Sequence, residues 1–237
     1  MSEKKKFRQD RKLWFRGFKN LIRLRYRKPR FVFLGAKPTS QSLVLTNHYG
    51  ARVPLTLELY ADFPIRYWGT YEMNSGLRST YRYLVNTYYV GKKGWNIHLA
   101  RLFCLLAAPL TNLFYRGLRL ISTYRDYRFR KSIAESLEVL NEDDNIVIFP
   151  ENSEEGYFDE LKEFYPGFVL LCERALRRGI DLPIFVSYLR PRDNTYLFEE
   201  PIFFSELKKM HSNKKDMAKY LLDKTNALGV TDVKDLK

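Results

Sequence analysis

One segment of the sequence, residues 118–149, places an amphipathic stretch between two short apolar runs. The runs at 118–122 and 145–149 are typical of buried strands, and residues 129–140 have helical periodicity. Two strands joined by a helix of this length usually lie parallel in one sheet, with their carboxyl ends at the same edge. The segment therefore predicts an α/β fold, and it brings Arg125 close to the residues that follow Phe149.

The rest of the chain continues this alternation. Apolar runs at 31–37, 43–45 and 182–188 predict further strands, and helical patterns begin near residue 52, at residue 167 and near residue 216. The sequence has no internal repeat or low-complexity tract, and 237 residues suffice for one well-buried domain. We therefore expect a single α/β domain over residues 31–237, with a mostly parallel central sheet flanked by helices. The apolar run at 102–111 is about half of the ~20 residues that a membrane-spanning helix needs, so it predicts a buried or interfacial helix.

The N-terminal segment, residues 1–30, carries most of the net charge of +14. It has 13 Lys and Arg residues against two acidic residues, a net +11, and the other 207 residues contribute only +3. Trp14, Phe18, Leu21 and Ile22 recur in it at helical spacing, which predicts a basic amphipathic helix. Such a helix can lie on an anionic membrane surface, pack on the domain, or attract nucleic acid.

Two further features favour the membrane surface. The +3 body has no nucleic-acid recognition motif, so no nucleic-acid partner is expected. The basic start is not followed by the apolar segment and cleavage site of a signal peptide. We therefore expect a cytoplasmic protein that lies peripherally on the inner face of the cell membrane.

Polar residues follow three of the predicted strands, where open α/β sheets usually bind their ligands. An imidazole at such a place has a pKa suited to general-base chemistry, and a guanidinium offers a two-pronged contact to a phosphate. A lone histidine is more often structural, but neither His98 nor His211 follows a strand beside a polar cluster. The candidate site residues are Asn47 and His48, then Arg125, then Glu151, Asn152 and Ser153.

The order of these blocks resembles the glycerophospholipid acyltransferase family, which includes lysophosphatidate and glycerol-3-phosphate acyltransferases. Over residues 40–225, NHYGARVP is similar to the family's H-x4-D motif, LISTYR to its block ending in Arg, and FPENSE to its FPEGTR block. The resemblance implies transfer of a fatty acyl group from acyl-CoA or acyl carrier protein to a hydroxyl of a lysophospholipid or related lipid alcohol. It implies His48 as general base and Asn47, Arg125, Glu151, Asn152 and Ser153 as substrate-binding residues. It implies no metal, and no cofactor beyond the acyl donor.

The sequence departs from this family pattern in two places. Val53 stands where H-x4-D has its aspartate, and Asn152 and Glu154 replace the Gly and Arg of FPEGTR. Because an orienting carboxylate is worth up to ~10⁴ in rate in comparable triads, its loss leaves a second hypothesis: a catalytically idle, lipid-binding relative. Glu58 or Asp62 can replace the aspartate only if the geometry allows it. Val53→Asp is expected to preserve or raise activity, provided that the new carboxylate reaches the imidazole.

Overall fold

The computed structural model describes residues 12–152 and 159–231, and these form a mostly parallel sheet flanked by helices. The predicted fold class is thereby confirmed. The strands are β1 (Arg30–Phe33), β2 (Leu43–Thr46), β3 (Ile65–Thr70), β4 (Ile121–Thr123), β5 (Asn145–Ile148), β6 (Pro183–Arg190), β7 (Thr195–Phe198) and β8 (Ile202–Phe203). The α-helices are α1 (Leu13–Arg23), α2 (Arg52–Tyr60), α3 (Tyr71–Asn74), α4 (Leu77–Arg82), α5 (Ile97–Leu118), α6 (Phe129–Asn141), α7 (Gly167–Leu176), α8 (Phe204–Met210) and α9 (Lys214–Val230). A π-helix spans Tyr83–Lys92.

The sheet has the strand order β1-β7-β6-β2-β5-β3-β4, and β8 pairs with β6 outside this path. The strands from β6 through β2, β5 and β3 to β4 are parallel, whereas β6 is antiparallel to β7 and β8. Strand β2 is central and wholly buried, because helices cover both faces of a parallel sheet. Its alternate side chains enter two cores: Leu43 and Leu45 face one, and Val44 faces the other. Because β2 is the central strand, its last residue lies at the middle of the carboxyl edge of the sheet.

The segment at 118–149 has the predicted strand–helix–strand order, with two differences. Helix α5 continues to Leu118, where Arg119 ends it in a left-handed conformation with φ 54°, so β4 starts at Ile121 rather than at residue 118. Strands β4 and β5 are also not neighbours, because β3 lies between them and pairs with both. Strand β3 lies in a tyrosine-rich segment for which the sequence pattern did not indicate a structure.

Helix α5 has 22 residues, and the apolar run at 102–111 forms its middle. The helix is therefore longer than the apolar run alone indicated. Within the described residues α5 alone has the length and apolar composition of a membrane span, and 28% of its most apolar stretch is buried in the protein. Pro109 lies inside the helix, where it removes one backbone hydrogen bond without ending it.

Helix α1 packs on the domain instead of standing apart as an arm. The ring of Phe15 is fully buried against Phe114, with 5.5 Å between ring centroids. It lies so close to Gly117 that a Cβ there would come within 2.0 Å of it. Beside it, the Lys19 ammonium donates a buried hydrogen bond of 2.9 Å to the Glu58 carboxylate. Removing the N-terminal segment as far as residue 28 would therefore open the core.

We expect Phe15→Ala to lower the free energy of unfolding by about 3–5 kcal/mol, the usual cost of removing a buried aromatic side chain. Leu13→Ala is the matched control, because Leu13 lies on the exposed side of the same helix and its loss should cost about 0.5 kcal/mol or less. Urea unfolding followed by circular dichroism measures both values. Equal stabilities for the two variants would show that α1 is detached in solution.

Candidate functional site

His48 and Glu151 meet at the carboxyl edge of the sheet because β2 and β5 are neighbours in parallel register. Leu45 pairs with Ile148, and His48 and Glu151 each lie three residues beyond this pair. The Glu151 carboxylate accepts a hydrogen bond from the main-chain N–H of His48. The histidine and the glutamate of the two sequence blocks therefore form one cluster.

The imidazole of His48 is held in place by Phe149, the residue that follows β5. The two rings meet edge to face, with 4.7 Å between their centroids. The residue as a whole is half-buried, and its Nδ1 atom is enclosed by protein. Burial and, to a smaller extent, the positive charge of Lys92 lower the pKa of His48 to about 4. The imidazole is therefore neutral at pH 7, the form that can accept a proton.

Glu151 is a buried carboxyl group whose pKa is displaced in the opposite direction. Burial raises its pKa to about 7, while the His48 N–H and the charge of Lys92 favour the ionised form. Its Oε1 atom is buried and has no hydrogen-bond partner among the described residues. A bridge to Phe164 fixes the backbone at this position. Glu151 is consequently poised to exchange a proton near neutral pH, as groups at functional sites often are.

Lys92, at the end of the π-helix, is the cation that acts on both members of this pair. The π-helix lies over the loop that follows β2, since the Tyr88 hydroxyl is 3.7 Å from the position that a Cβ on Gly50 would take. Gly50 has φ +59°, a conformation that favours glycine. Helices of the π type are rare and are found frequently at functional sites.

Asn47 anchors the end of β2 through its side chain, which hydrogen-bonds to the backbone of β6. Its side-chain amide donates to the Leu189 carbonyl at 3.1 Å and its oxygen accepts from the Leu189 N–H at 2.9 Å. The amide thus joins the end of β2 to β6 as a backbone pair would. The Tyr188 hydroxyl lies beside the same amide, and burial followed by the negative groups Asp159 and Glu151 raises its pKa to about 12. Asn47 therefore fixes the position of His48, and Tyr188 remains a neutral phenol at this edge.

The other predicted site residues are spread along the edge. Arg125 is exposed in the loop after β4, and its charge acts on Tyr83, the first residue of the π-helix. Nearby, Arg128 is paired with Asp126 at 2.7 Å. Asn152 directly follows Glu151 and donates to the Glu163 carboxylate at 3.2 Å. Ser153 lies outside the described residues.

The structure assigns other roles to the two carboxylates considered as replacements for the missing aspartate. Glu58 is buried against Lys19, and Asp62 forms an ion pair with Lys37. Val53 is fully buried in the core cluster that contains Val44. The carboxylate that the structure does place beside His48 is Glu151.

We therefore expect Val53→Asp to destabilise the protein, because the new carboxylate would lie in the core. An unpaired carboxylate in this apolar core should cost about 3–5 kcal/mol of unfolding free energy. Val53→Ala, measured in the same urea titration, shows how much of that loss comes from the lost side chain. A Val53→Asp protein of wild-type stability would mean that the new carboxylate reaches His48 after all.

Three residues of this site were missed by sequence reasoning: Lys92, Phe149 and Tyr188. Phe149 and Tyr188 were read only as strand residues, and Lys92 lies in a segment with no motif. The one local signal was that Phe149 directly precedes the Pro-Glu-Asn block. Within residues 12–152 and 159–231, no group of three or more His, Cys, Asp or Glu side chains has the arrangement of a metal site.

No protein-family model matches this sequence, and no curated protein has significant similarity to it. The likeness to the glycerophospholipid acyltransferases therefore rests on the order of the sequence blocks.

Proposed function

We propose that the protein is an acyltransferase that moves a fatty acyl group from a thioester of CoA or acyl carrier protein to a lipid hydroxyl. The observation that carries the proposal is the contact between the Glu151 carboxylate and the His48 main chain. It holds a carboxyl group that titrates near pH 7 against the main chain of the residue that carries the neutral imidazole, at the sheet edge where ligands of α/β proteins usually bind. The order of the sequence blocks supports the same reaction.

In the proposed reaction the acceptor hydroxyl donates its proton to Nε2 of His48, because Nδ1 is enclosed. The acceptor oxygen attacks the thioester carbonyl and forms a tetrahedral intermediate with a negatively charged oxygen. Its collapse breaks the carbon–sulfur bond and forms the ester, and the leaving thiolate takes the proton back from the imidazolium. A base within hydrogen-bond reach contributes typically 10²–10⁴ to such a rate.

Glu151 and Lys92 have complementary roles in this proposal. An ionised Glu151 stabilises the imidazolium that forms beside it, so the reaction should quicken as Glu151 loses its proton near pH 7. Lys92 disfavours that imidazolium, but its positive charge stabilises the negatively charged oxygen of the intermediate. Glu151 thus takes the place that an aspartate at position 53 would have in the H-x4-D motif.

Arg125 and Asn152 are proposed to contact the acceptor. The exposed guanidinium of Arg125, beyond β4 on the same edge, suits an anionic headgroup. Asn152 offers an amide beside Glu151 instead of the family's glycine. An acceptor that carries both hydroxyl and anionic groups fits the Asn152 amide and the Arg125 guanidinium.

A second candidate function is a catalytically idle protein that binds lipid. The buried Val53 favours it, because no carboxylate from position 53 supports the imidazole. In that case the low pKa of His48 is a consequence of packing alone. The two candidates differ in one respect that can be measured directly, which is the formation of a new ester.

The test is to incubate the protein with a lipid extract and a mixture of CoA and carrier-protein thioesters, and to compare the lipid masses with those made by the His48→Ala protein. We expect a new acyl lipid only with the wild-type protein, and its mass identifies donor and acceptor together. Identical lipid profiles over a broad panel of thioesters would reject the enzyme and leave the lipid-binding protein.

A further inference from the structure

The outer face of α5 is apolar along most of its length. Leucine and phenylalanine recur on it every three or four residues. The exposed fraction of the side chain is highest for Leu106, at 78%, and for Leu102, at 71%. Residues at this spacing lie on one side of an α-helix. The exposed set is Leu99, Leu102, Phe103, Leu106, Leu110 and Leu113, with Leu105 at its edge. A water-facing surface of this kind usually marks an interaction site.

The same face continues onto α1. Phe15 covers Gly117 at the end of α5, and Phe18 also approaches Phe114, with 6.4 Å between the ring centroids. On the other side of α1, Leu13, Trp14 and Leu21 are exposed. The two helices therefore present neighbouring apolar surfaces, which we call the α1–α5 surface.

Amphipathic aromatic side chains lie at both ends of the α1–α5 surface. Trp95 packs against Tyr89 and Phe103 at the start of α5, with centroid distances of 4.6 and 5.4 Å. Trp14 is exposed on α1 at the other end. Indole rings prefer the boundary between lipid headgroups and acyl chains, where one side is apolar and the other is wet.

The charges around this surface suit anionic lipid. The chain from residue 73 to residue 125 contains eight Lys and Arg residues and no Asp or Glu, and α1 also lacks acidic residues. Each such basic residue near an anionic membrane surface contributes about 1 kcal/mol of attraction. A second copy of the chain would bring two cationic surfaces together, so the charge disfavours self-association.

We infer that the α1–α5 surface lies flat in the boundary layer of an anionic lipid bilayer. Helix α5 does not cross the bilayer, because its opposite face is packed in the protein. There Ala100, Cys104 and Ala108 are fully buried, and the Asn112 amide donates to the Thr80 hydroxyl. This inference does not rest on the proposed acyl transfer. It moves the expected membrane contact from the basic segment alone to a surface built mainly by α5.

The test is sedimentation with vesicles of phosphatidylcholine, with and without phosphatidylglycerol, for the wild type and a Leu102→Glu, Leu106→Glu double variant. The variant should bind the anionic vesicles at least about tenfold more weakly, since two charges replace buried apolar contacts. Its melting temperature should be unchanged, because both leucines are exposed. Met210→Glu on α8, beside α7, is the matched control and should bind normally.

A second measurement, on proteins with the α5 leucines unaltered, keeps the inference testable if the double variant misfolds. Brominated phospholipids should quench Trp14 and Trp95 but not Trp68, whose indole N–H donates to Ser136 inside the protein. Single-tryptophan variants separate the three signals. Wild-type binding by the double variant, or vesicle binding without quenching of Trp14 and Trp95, would overturn the inference. Acyl transfer to a water-soluble, short-chain acceptor does not need this surface and would remain intact in that case, so the two proposals fail separately.

Discussion

His48→Ala is expected to reduce kcat for acyl transfer by at least about 10³-fold, because the only imidazole at the carboxyl edge of β2 is then missing. The Michaelis constant should change little, since the base is needed in the transition state and not for binding. Ester formation is measured by mass spectrometry with the acyl donor and acceptor identified for the wild type. Stability should change only modestly, because the residue is half-buried.

His211→Ala is the control for loss of a histidine elsewhere in the chain, where His211 follows α8 and packs against Tyr220. It should transfer acyl groups at the wild-type rate. A folded His48→Ala protein that keeps more than about a tenth of the wild-type kcat would remove His48 from the chemistry, because a lost general base costs at least 10².

Glu151→Gln is expected to lower kcat/KM by about 10²-fold at pH 8 and to remove its dependence on pH. In the wild type the rate should rise with pH around a midpoint of about 7, where Glu151 ionises, because His48 is already neutral above pH 5. Glutamine keeps an oxygen for the His48 N–H but carries no charge. A Glu151 that merely holds the loop would leave the midpoint in place, so a pH–rate profile distinguishes the two roles.

The same substitution should stabilise the protein above pH 7. The pKa of Glu151 is raised from an ordinary 4.5 to about 7, so the folded chain binds more protons than the unfolded chain between these values. Its contribution to stability is present below pH 4.5 and is lost as the pH rises through 7. Glu151→Gln escapes this loss, which at about 1.4 kcal/mol per pKa unit amounts to at most ~3.5 kcal/mol.

His48 gives the opposite slope and serves as an internal check. Its pKa is lowered from 6.5 to about 4, so its contribution to stability grows as the pH rises through this range. In the wild type the two slopes oppose each other between pH 4.5 and 6.5. Urea unfolding of Glu151→Gln should therefore show stability rising with pH in this window. A flat wild-type profile that stays flat in the variant would contradict the pKa values of both groups.

Local sequence signals were sufficient for the elements that carry the site. The apolar run before Asn47 predicted β2, and the helix expected from residue 52 begins there. The parallel strands predicted around α6 placed the residues after β5 at the same edge as Arg125. The parallel register of β2 and β5 brings His48 and Glu151 together, because each lies three residues beyond the paired residues Leu45 and Ile148.

Features that depend on tertiary packing were not visible in the sequence. Helical spacing showed that α1 has an aromatic side, but not that Phe15 rather than Trp14 enters the core. The apolar run at 102–111 predicted a short helix, yet α5 packs on α4 and the π-helix and continues past Pro109. Lys92 reaches the site only because the π-helix crosses the loop after β2. The ion pair of Glu58 could not be predicted either, because it depends on where Lys19 lies in the fold.

The most direct measurement of the central claim follows a carbon-13-labelled acyl thioester in the presence of the identified acceptor, with released thiol and labelled ester quantified together. For the wild type we predict one ester formed for each thiol released, thiol release that requires the acceptor, and neither product above background with His48→Ala. Thiol release at equal rates from the wild type and His48→Ala, or release without labelled ester, would contradict acyl transfer by the His48–Glu151 pair.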